Sequence, residues 1–523
     1  MGTGDKWRRP PGDTQIRRAA QLGAHQRPAA VFSGGGFRGF VAKQLAAHVW
    51  RAAAWKVLLG GSMIAGKLFS AAALLALAGC SGGTDADRGT PETRNVTIAQ
   101  SSVARAAASE VSAVELNAAV AANNAFAVDL YAQVLKGQER KNVLTSPISA
   151  SLALTMAYAG AKGATQAEMA AALHLDPRAG SAAFAGQNAL GQALDARGAH
   201  ALASARQRAT EAGQTAPSEA DYQLQVVNSV WGEQSYTWEA PFLDTLAANY
   251  GTGVYKQDFE NAFEPARALI NGWVSQHTAD QINGLLPQGS IDALTRMVLV
   301  NAIHLKLPWQ TSFSANSTAS ANFVRADAST VATAFMRRQA ELAYVDDGQA
   351  QVVALPLSNS ELQVVIALPH EGLSLTDYEA SLAADSAALS VPSGSAQVML
   401  SLPKATFTSP SVSLADALQA LGMKQAFDDG AANFSGLCAN PPDGSLLYLS
   451  DVLQKSRISM QENGVEASAA TAVVVAGRLA VTDPPQPLEM NVNRPYLVAI
   501  VDAPTGAVLM LGQIQDPSDT GVP

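Results

Sequence analysis

The sequence predicts a mixed α+β fold, and three observations carry that prediction. Phe126, Leu130 and Val134 recur every four residues, the spacing of one face of an amphipathic helix. Met297–Leu305, Val353–Leu357, Leu362–Leu368 and Val398–Pro403 are short and nearly continuous in apolar residues, as strands buried on both faces are. Glu462–Arg478 joins strong strand propensity to small, mostly uncharged side chains. It opens at the turn signal Asn463-Gly464 and is followed by Asp483-Pro484-Pro485-Gln486-Pro487, which cannot continue a central strand.

At 523 residues, 48% hydrophobic and 15% charged, the chain can bury a sizeable core, and its length alone suggests more than one domain. Charge is unevenly spread. Residues 1–62 carry ten Lys or Arg against Asp5 and Asp13, although the whole chain sums to −9. The part from Cys80 onward is therefore acidic, which argues against nucleic acid as a general partner. Two cysteines, Cys80 and Cys438, are far too few for a disulfide framework.

Lys67, the apolar run Leu68–Ala78 and the small residues just ahead of Cys80 make a secretory signal, too short for a comfortable membrane span. An uncleaved anchor is the competing reading, because Val57–Ala78 is fairly apolar throughout. Leu77-Ala78-Gly79-Cys80 resembles a bacterial lipobox, which implies lipid on Cys80 and attachment to a membrane through it. Ser81, where an Asp would be the alternative, implies export to the outer membrane, facing the periplasm or the cell surface. Met63 makes a normal start for such a signal. The expected organisation is thus a mispredicted or non-structural extension (1–62), a lipoprotein signal (63–79), a flexible tether (80–110) and one folded domain (111–517). The Gly34-Gly35-Gly36 cluster beside Arg38 follows no strand and caps no helix pattern, so it is discounted as an anion loop.

Within the folded part, the run around Phe126 places the first helix. Ser146-Pro147 opens an apolar helical run, with Pro147 supplying the fixed backbone angle of a first turn. Asp176 to about Asp221 is rich in Ala, Gly and Gln and reads as a surface excursion, with Ala199–Ala212 a candidate helix within it. Val227–Trp231 reads as a central strand, Ala266–Gln281 as a helix, and Met297–Leu305 as a buried strand with Trp309 and Phe313 beyond its end.

Enzyme readings lack their local signatures. The seven histidines stand at 25, 48, 174, 200, 277, 304 and 370, and no His-Glu-x-x-His, Gly-x-Ser-x-Gly or Cys-x-x-Cys is present. His370-Glu371 has no second histidine after it, and Cys438 is a free cysteine near a loop. A triad dispersed along the chain keeps a secreted hydrolase as an alternative from another class.

Glu462-x-Gly464-x-Glu466-Ala467-Ser468-Ala469-Ala470-Thr471 ahead of a valine-rich run resembles the hinge of the reactive-centre loop of serpins, the serine protease inhibitors. Asn493–Leu497 and Thr505–Gly512 are similar to that family's C-terminal strands. The resemblance extends over residues 111–517, with its motifs in family order. It implies a serpin fold of three β-sheets, about eight or nine helices and an exposed loop. It also implies a hinge of Glu462, Gly464, Val465, Glu466, Ala467, Ser468, Ala469, Ala470 and Thr471, with Val465, Ala467, Ala469 and Thr471 facing inward and Glu466 outward. A shutter, where the central sheet parts, maps to Asn142, Ser146, Pro147, Ser149 and Asn301, with Gln454 where the family usually has a histidine. Trp309 falls at the breach, the top of that sheet.

Counting the family's seventeen residues from Glu462 puts the reactive bond at Arg478–Leu479, and a shift of one would put Gly477 or Leu479 before it. Ala476-Gly477-Arg478 resembles the antithrombin loop and suits a trypsin-like protease. The implied activity is inhibition: loop cleavage, trapping of the acyl-enzyme as a covalent complex, and insertion of the loop into the central sheet. The alternative is a non-inhibitory serpin acting as a protease substrate or as a binding or chaperone-like protein. No cofactor, no metal and a monomeric state are implied.

Overall fold

The structure, a computed structural model, describes residues 96–382, 389–466 and 486–522. The described chain opens with a short strand, β1 (Ile98–Ala99), followed by helix α1 (Ala113–Val134). Ser112 closes a capping box: its Oγ accepts from Glu115 N at 3.3 Å, and the Glu115 carboxylate accepts from Ser112 N at 2.8 Å. Phe126 and Leu130 point wholly into the core, as their spacing predicts. The tether expected up to residue 110 is partly tied down, since Ile98 and Ala99 pair antiparallel with Tyr255 and Val254, and Ala106 N donates to Ala248 O at 2.8 Å. Those partners lie some 150 residues away, beyond the reach of local composition.

Next come β2 (Val143–Thr145), α2 (Pro147–Tyr158) and α3 (Gly163–Ala172). Pro147 sits in the first turn of α2, where its missing N–H has no helical partner to lose. The supposed surface excursion is instead helix α4 (Ser181–Glu211), with Leu190, Leu194 and Ala201 in the core. Its alanines are the best helix formers, and its small residues permit close approach. A Cβ at Gly186 would come within 2.4 Å of Glu115 O.

The central sheet forms from β3 (Gln223–Glu233), then, beyond α5 (Ala240–Tyr250), β4 (Val254–Gln257) and, beyond α6 (Phe259–His277), β5 (Met297–Pro308). Helix α6 begins earlier than the sequence suggests and kinks at Ala262 ahead of Pro265. Its Ile270, Trp273 and Val274 cover Val298, Val300 and Ala302 of β5. Strand β5 pairs antiparallel with β3 from Gln223↔Lys306 to Gly232↔Met297. The second layer is built from β6 (Ala319–Val324), β7 (Thr330–Asp346), β8 (Ala350–Pro356), β9 (Leu362–Pro369), α7 (Leu375–Ser381) and β10 (Ser395–Pro403).

The chain then returns to the first sheet through β11 (Ala405–Thr408), β12 (Val412–Ser413), α8 (Ala415–Ala420), β13 (Val452–Lys455), β14 (Arg457–Gln461) and β15 (Gly464–Val465). It closes the second with β16 (Leu488–Asn491), β17 (Tyr496–Asp502) and β18 (Ala507–Ile514). Eight α-helices are thus present among the described residues.

The three expected sheets join into two continuous ladders. One runs β1-β4-β3-β5-β15-β14-β11, with β13 on β5 and β12 on β13; the other runs β16-β10-β7-β8-β9-β17-β18-β2, with β6 on β7. Strand β7 is the reason. It is 17 residues long, its first part pairs with β6 and β10, and its last part pairs with β8. Between the two ladders lies one core, in which Ile303, Leu305, Leu307, Ile458 and Met460 of the first meet Val364, Ile366, Leu400 and Val498 of the second.

Candidate functional site at the head of the central sheet

Below its midpoint the central sheet is zipped, with β13 running parallel to β5 from Val452↔Leu299 to Lys455↔Ala302. Above it, β5 and β14 are not partners. Gly464 and Val465 stand between them, paired with Pro308 and Leu307 on one side, and Val465 with Met460 and Gly464 with Gln461 on the other. Val465 is 1% exposed and belongs to the core between the sheets. The first two residues after the Asn463 turn are therefore already a strand.

Trp309, directly beyond β5, is buried and orders this turn. Its Nε1 donates to Gln461 O at 2.7 Å, and its backbone N donates to Asn463 O at 2.9 Å. Phe313 packs edge-on against it and donates its backbone N to Glu462 O at 2.9 Å. The Glu462 carboxylate lies 2.9 Å from Lys404 Nζ and accepts from Thr318 Oγ1 at 3.0 Å. Partial burial opposes its ionisation, but Lys404, its own backbone N–H and Thr318 outweigh that and hold the carboxyl below its usual range.

Glu466 stands just past the last paired residue of β15. Its N still donates to Ser459 O at 2.8 Å, but its φ of 51° lies in the left-handed region, which turns the backbone out of the ladder. Its side chain takes the face opposite Val465, as alternation requires, yet it is not the solvated outward charge that the sequence suggests. It is 7% exposed, with Oε1 2.7 Å from Arg457 Nε on β14 and Oε2 3.5 Å from His304 Nδ1 on β5. Burial raises the Glu466 carboxyl, against the pull of Arg457 and Lys306. His304 is pushed down to about 4 by burial and by the nearby charges of Lys306 and Arg457, so it is neutral at pH 7.

At the waist, the residues that the sequence assigns to a shutter divide into two groups. Ser146 N donates to Gln454 Oε1 at 2.9 Å, and Gln454 Nε2 donates to Ser146 O at 2.8 Å and to Asn301 Oδ1 at 2.9 Å. Asn301 Nδ2 donates to Leu453 O at 3.0 Å. Ser146 Oγ lies 3.0 Å from Ser149 Oγ, and Ser149 Oγ donates to Ala302 O at 3.4 Å. Pro147 opens α2 beside them. Asn142 stands apart from this network and clamps the C-terminal segment: its Oδ1 accepts from Gln515 N at 2.7 Å and its Nδ2 donates to Asp516 O at 2.7 Å.

Ala467, Ser468, Ala469, Ala470, Thr471, the Arg478–Leu479 bond and Cys80 lie outside the described residues. Lys404, Arg457 and His304 were not singled out from sequence. Each meets its carboxylate across strands, so only strand register could have revealed it. Among the described residues, no cluster of His, Cys, Asp or Glu could hold a metal ion, and no helix is long and apolar enough to cross a membrane. Cys438 is buried, which raises its thiol out of the reactive range.

Comparison with known proteins agrees with this architecture. A profile of the family described as Serpin (serine protease inhibitor) matches residues 121–517. Serpin B6 of Bos taurus is 32% identical over 401 residues, spanning 76% of this chain and 98% of that protein. Serpin B3 of Homo sapiens is 31% identical over 410 residues, 77% of this chain and all of its own, and the leukocyte elastase inhibitor of Bos taurus is 30% identical over 406 residues, 76% and 99%. Among solved structures, the thermophilic serpin tengpin in its native state superposes with a TM-score of 0.65 at 24% identity, covering 80% of this chain and 99% of that one, which shows the fold. The chain belongs to the serpin family, at family level protease inhibitors rather than enzymes.

Proposed function

We propose that this chain is a lipid-anchored, monomeric inhibitor of trypsin-like serine proteases, acting as a suicide substrate. The seating of Gly464 and Val465 between β5 and β14 supports this most directly, because a sheet already parted at its head and zipped below is ready to take up more of the same strand. The residues that would follow suit burial. Ala467, Ala469 and Thr471 are small and uncharged, whereas a charge on that face would cost several kcal/mol.

In this reading the protease's serine attacks the carbonyl carbon of Arg478, an ester forms, and the amine of Leu479 departs. Arg478 suits a specificity pocket that holds an acid. The freed strand then runs into the sheet between β5 and β14, carrying the ester-linked protease with it. Distortion of the protease's oxyanion hole stalls hydrolysis of the ester. The uncut protein is therefore held by a barrier above its most stable arrangement. No cofactor enters the scheme. The anchor is lipid on Cys80, at the outer membrane facing the periplasm or the cell surface.

Mixing the protein with trypsin and running a denaturing gel tests the proposal. A band of the combined mass that survives SDS is expected. Clean cleavage after Arg478 with trypsin fully active would overturn it in favour of a substrate or binding protein.

A further inference from the structure

Where β5 and β14 part, the carboxylate of Glu466 spans the opening. One oxygen sits 2.7 Å from Arg457 Nε on β14, a charged hydrogen bond, and the other lies 3.5 Å from the neutral His304 ring on β5, so the side chain fills the opening and is held there from its β14 side. Lys306, the neighbouring cation on the same face of β5, is engaged elsewhere, 2.8 Å from Asp221. Glu466 holds a left-handed backbone, costly for a residue that carries a Cβ, and the ion pair on its shielded side chain offsets that cost.

Register gives this contact a second consequence. Val465 stands opposite Leu307 and Met460, so a ladder extended without slippage brings residue 468 opposite both His304 and Arg457. That is the space between the two strands which the Glu466 carboxylate now occupies. Further insertion therefore requires the Arg457–Glu466 pair to break and Glu466 to swing from its left-handed turn into extended backbone.

We propose that Arg457 is a positioning residue which, through Glu466, forms a catch against insertion beyond Val465 and sets the rate at which the rest of the strand follows. The catch rests on the insertion reading above. Nothing in the hinge motif names it, because Arg457 lies outside that motif.

The test uses the full chain with its loop uncut. Conversion to the inserted, urea-resistant form is followed on urea-gradient gels at raised temperature, with tryptophan emission as a second readout because Trp309 is bonded to Gln461 at the parting. Glu466→Gln keeps the shape and removes the charge, and Arg457→Gln removes the cation. Each is expected to speed conversion about tenfold or more, the loss of roughly 1.4 kcal/mol of barrier. The double variant is expected to convert no faster than the quicker single, because the two act as one unit, while Arg457→Lys retains most of the slow rate. Since Arg457→Gln leaves a shielded carboxylate unpaired and can weaken folding, Glu466→Gln and the double variant supply the decisive comparison. Wild-type rates in both, or strictly additive gains, would overturn the catch. Wild-type protein cleaved at the loop is run alongside: a gain in thermal stability there with unchanged variant rates removes the catch alone, and no gain removes the insertion reading together with it.

Discussion

Gln454 shows how one side chain can hold two elements across a sheet. Its amide is 3% exposed, and it links the start of α2 at Ser146 to Asn301 of β5 with both N–H groups and the carbonyl oxygen in use. Because an amide does not titrate, this junction is indifferent to pH. Gln454→His is expected to change that. A neutral imidazole can accept from Ser146 N–H and donate to Asn301 Oδ1, whereas its protonated form cannot accept and its charge is penalised by burial at a site only 3% exposed. The folded-state pKa of that histidine therefore lies below its unfolded value of about 6.5, and the folded protein binds fewer protons than the unfolded chain. Its stabilising contribution is complete above about pH 6.5 and is lost as pH falls through the folded pKa. Thermal melts compared from about pH 8 to about pH 5 should show the variant losing stability relative to wild type on the acid side; parallel curves would contradict it.

Among the elements, α4 departs furthest from what its composition suggests. Beyond its apolar contacts it is pinned to the end of β17 by a buried ion pair: Arg197 Nε donates to Asp502 Oδ1 at 2.6 Å and Nη2 to Oδ2 at 3.1 Å, with Asp502 wholly inaccessible. Glu361 adds a second acceptor to Arg197 at 3.2 Å, and Thr505 Oγ1 donates to Asp502 at 2.6 Å. Asp502→Ala leaves the guanidinium buried without its main partner and is expected to cost about 3–5 kcal/mol. Arg197→Met combined with Asp502→Leu should recover much of that loss, because the pair's desolvation goes with it. Denaturant midpoints for the three variants check this. A sequence reading that sees Ala and Gly between 176 and 221 as loop cannot find Asp502, which stands 305 residues further on. The strand readings fared better: Met297–Leu305 and Leu362–Leu368 fall within β5 and β9, because a strand buried on both faces announces itself by an unbroken apolar run.

For the molecule as a whole, the central question is whether its uncut form is a trap. Strands β5 and β14, which could each gain a partner along their length, instead enclose two residues of β15 at the head, while below them β5 pairs directly with β13. If insertion completes this ladder, cleavage of the loop should raise the melting temperature by more than about 10 °C, a gain of several kcal/mol at roughly 2–4 °C per kcal/mol. Calorimetry before and after limited proteolysis measures it, and an unchanged value would mean that nothing is released.

The family and the mixed fold were legible in the linear chain, because both depend on short patterns: the spacing of Glu462, Gly464 and Glu466, the Ser146-Pro147 helix start, the apolar run that ends near Trp309. Three things were decided only by the tertiary structure: that Glu466 is shielded against Arg457 and His304, that Lys404 neutralises Glu462, and that Ile98 extends the central sheet. The physical reason is common to all three. A side chain's partner across a sheet is set by which strands lie adjacent and in what register, and no local property of the sequence encodes that adjacency.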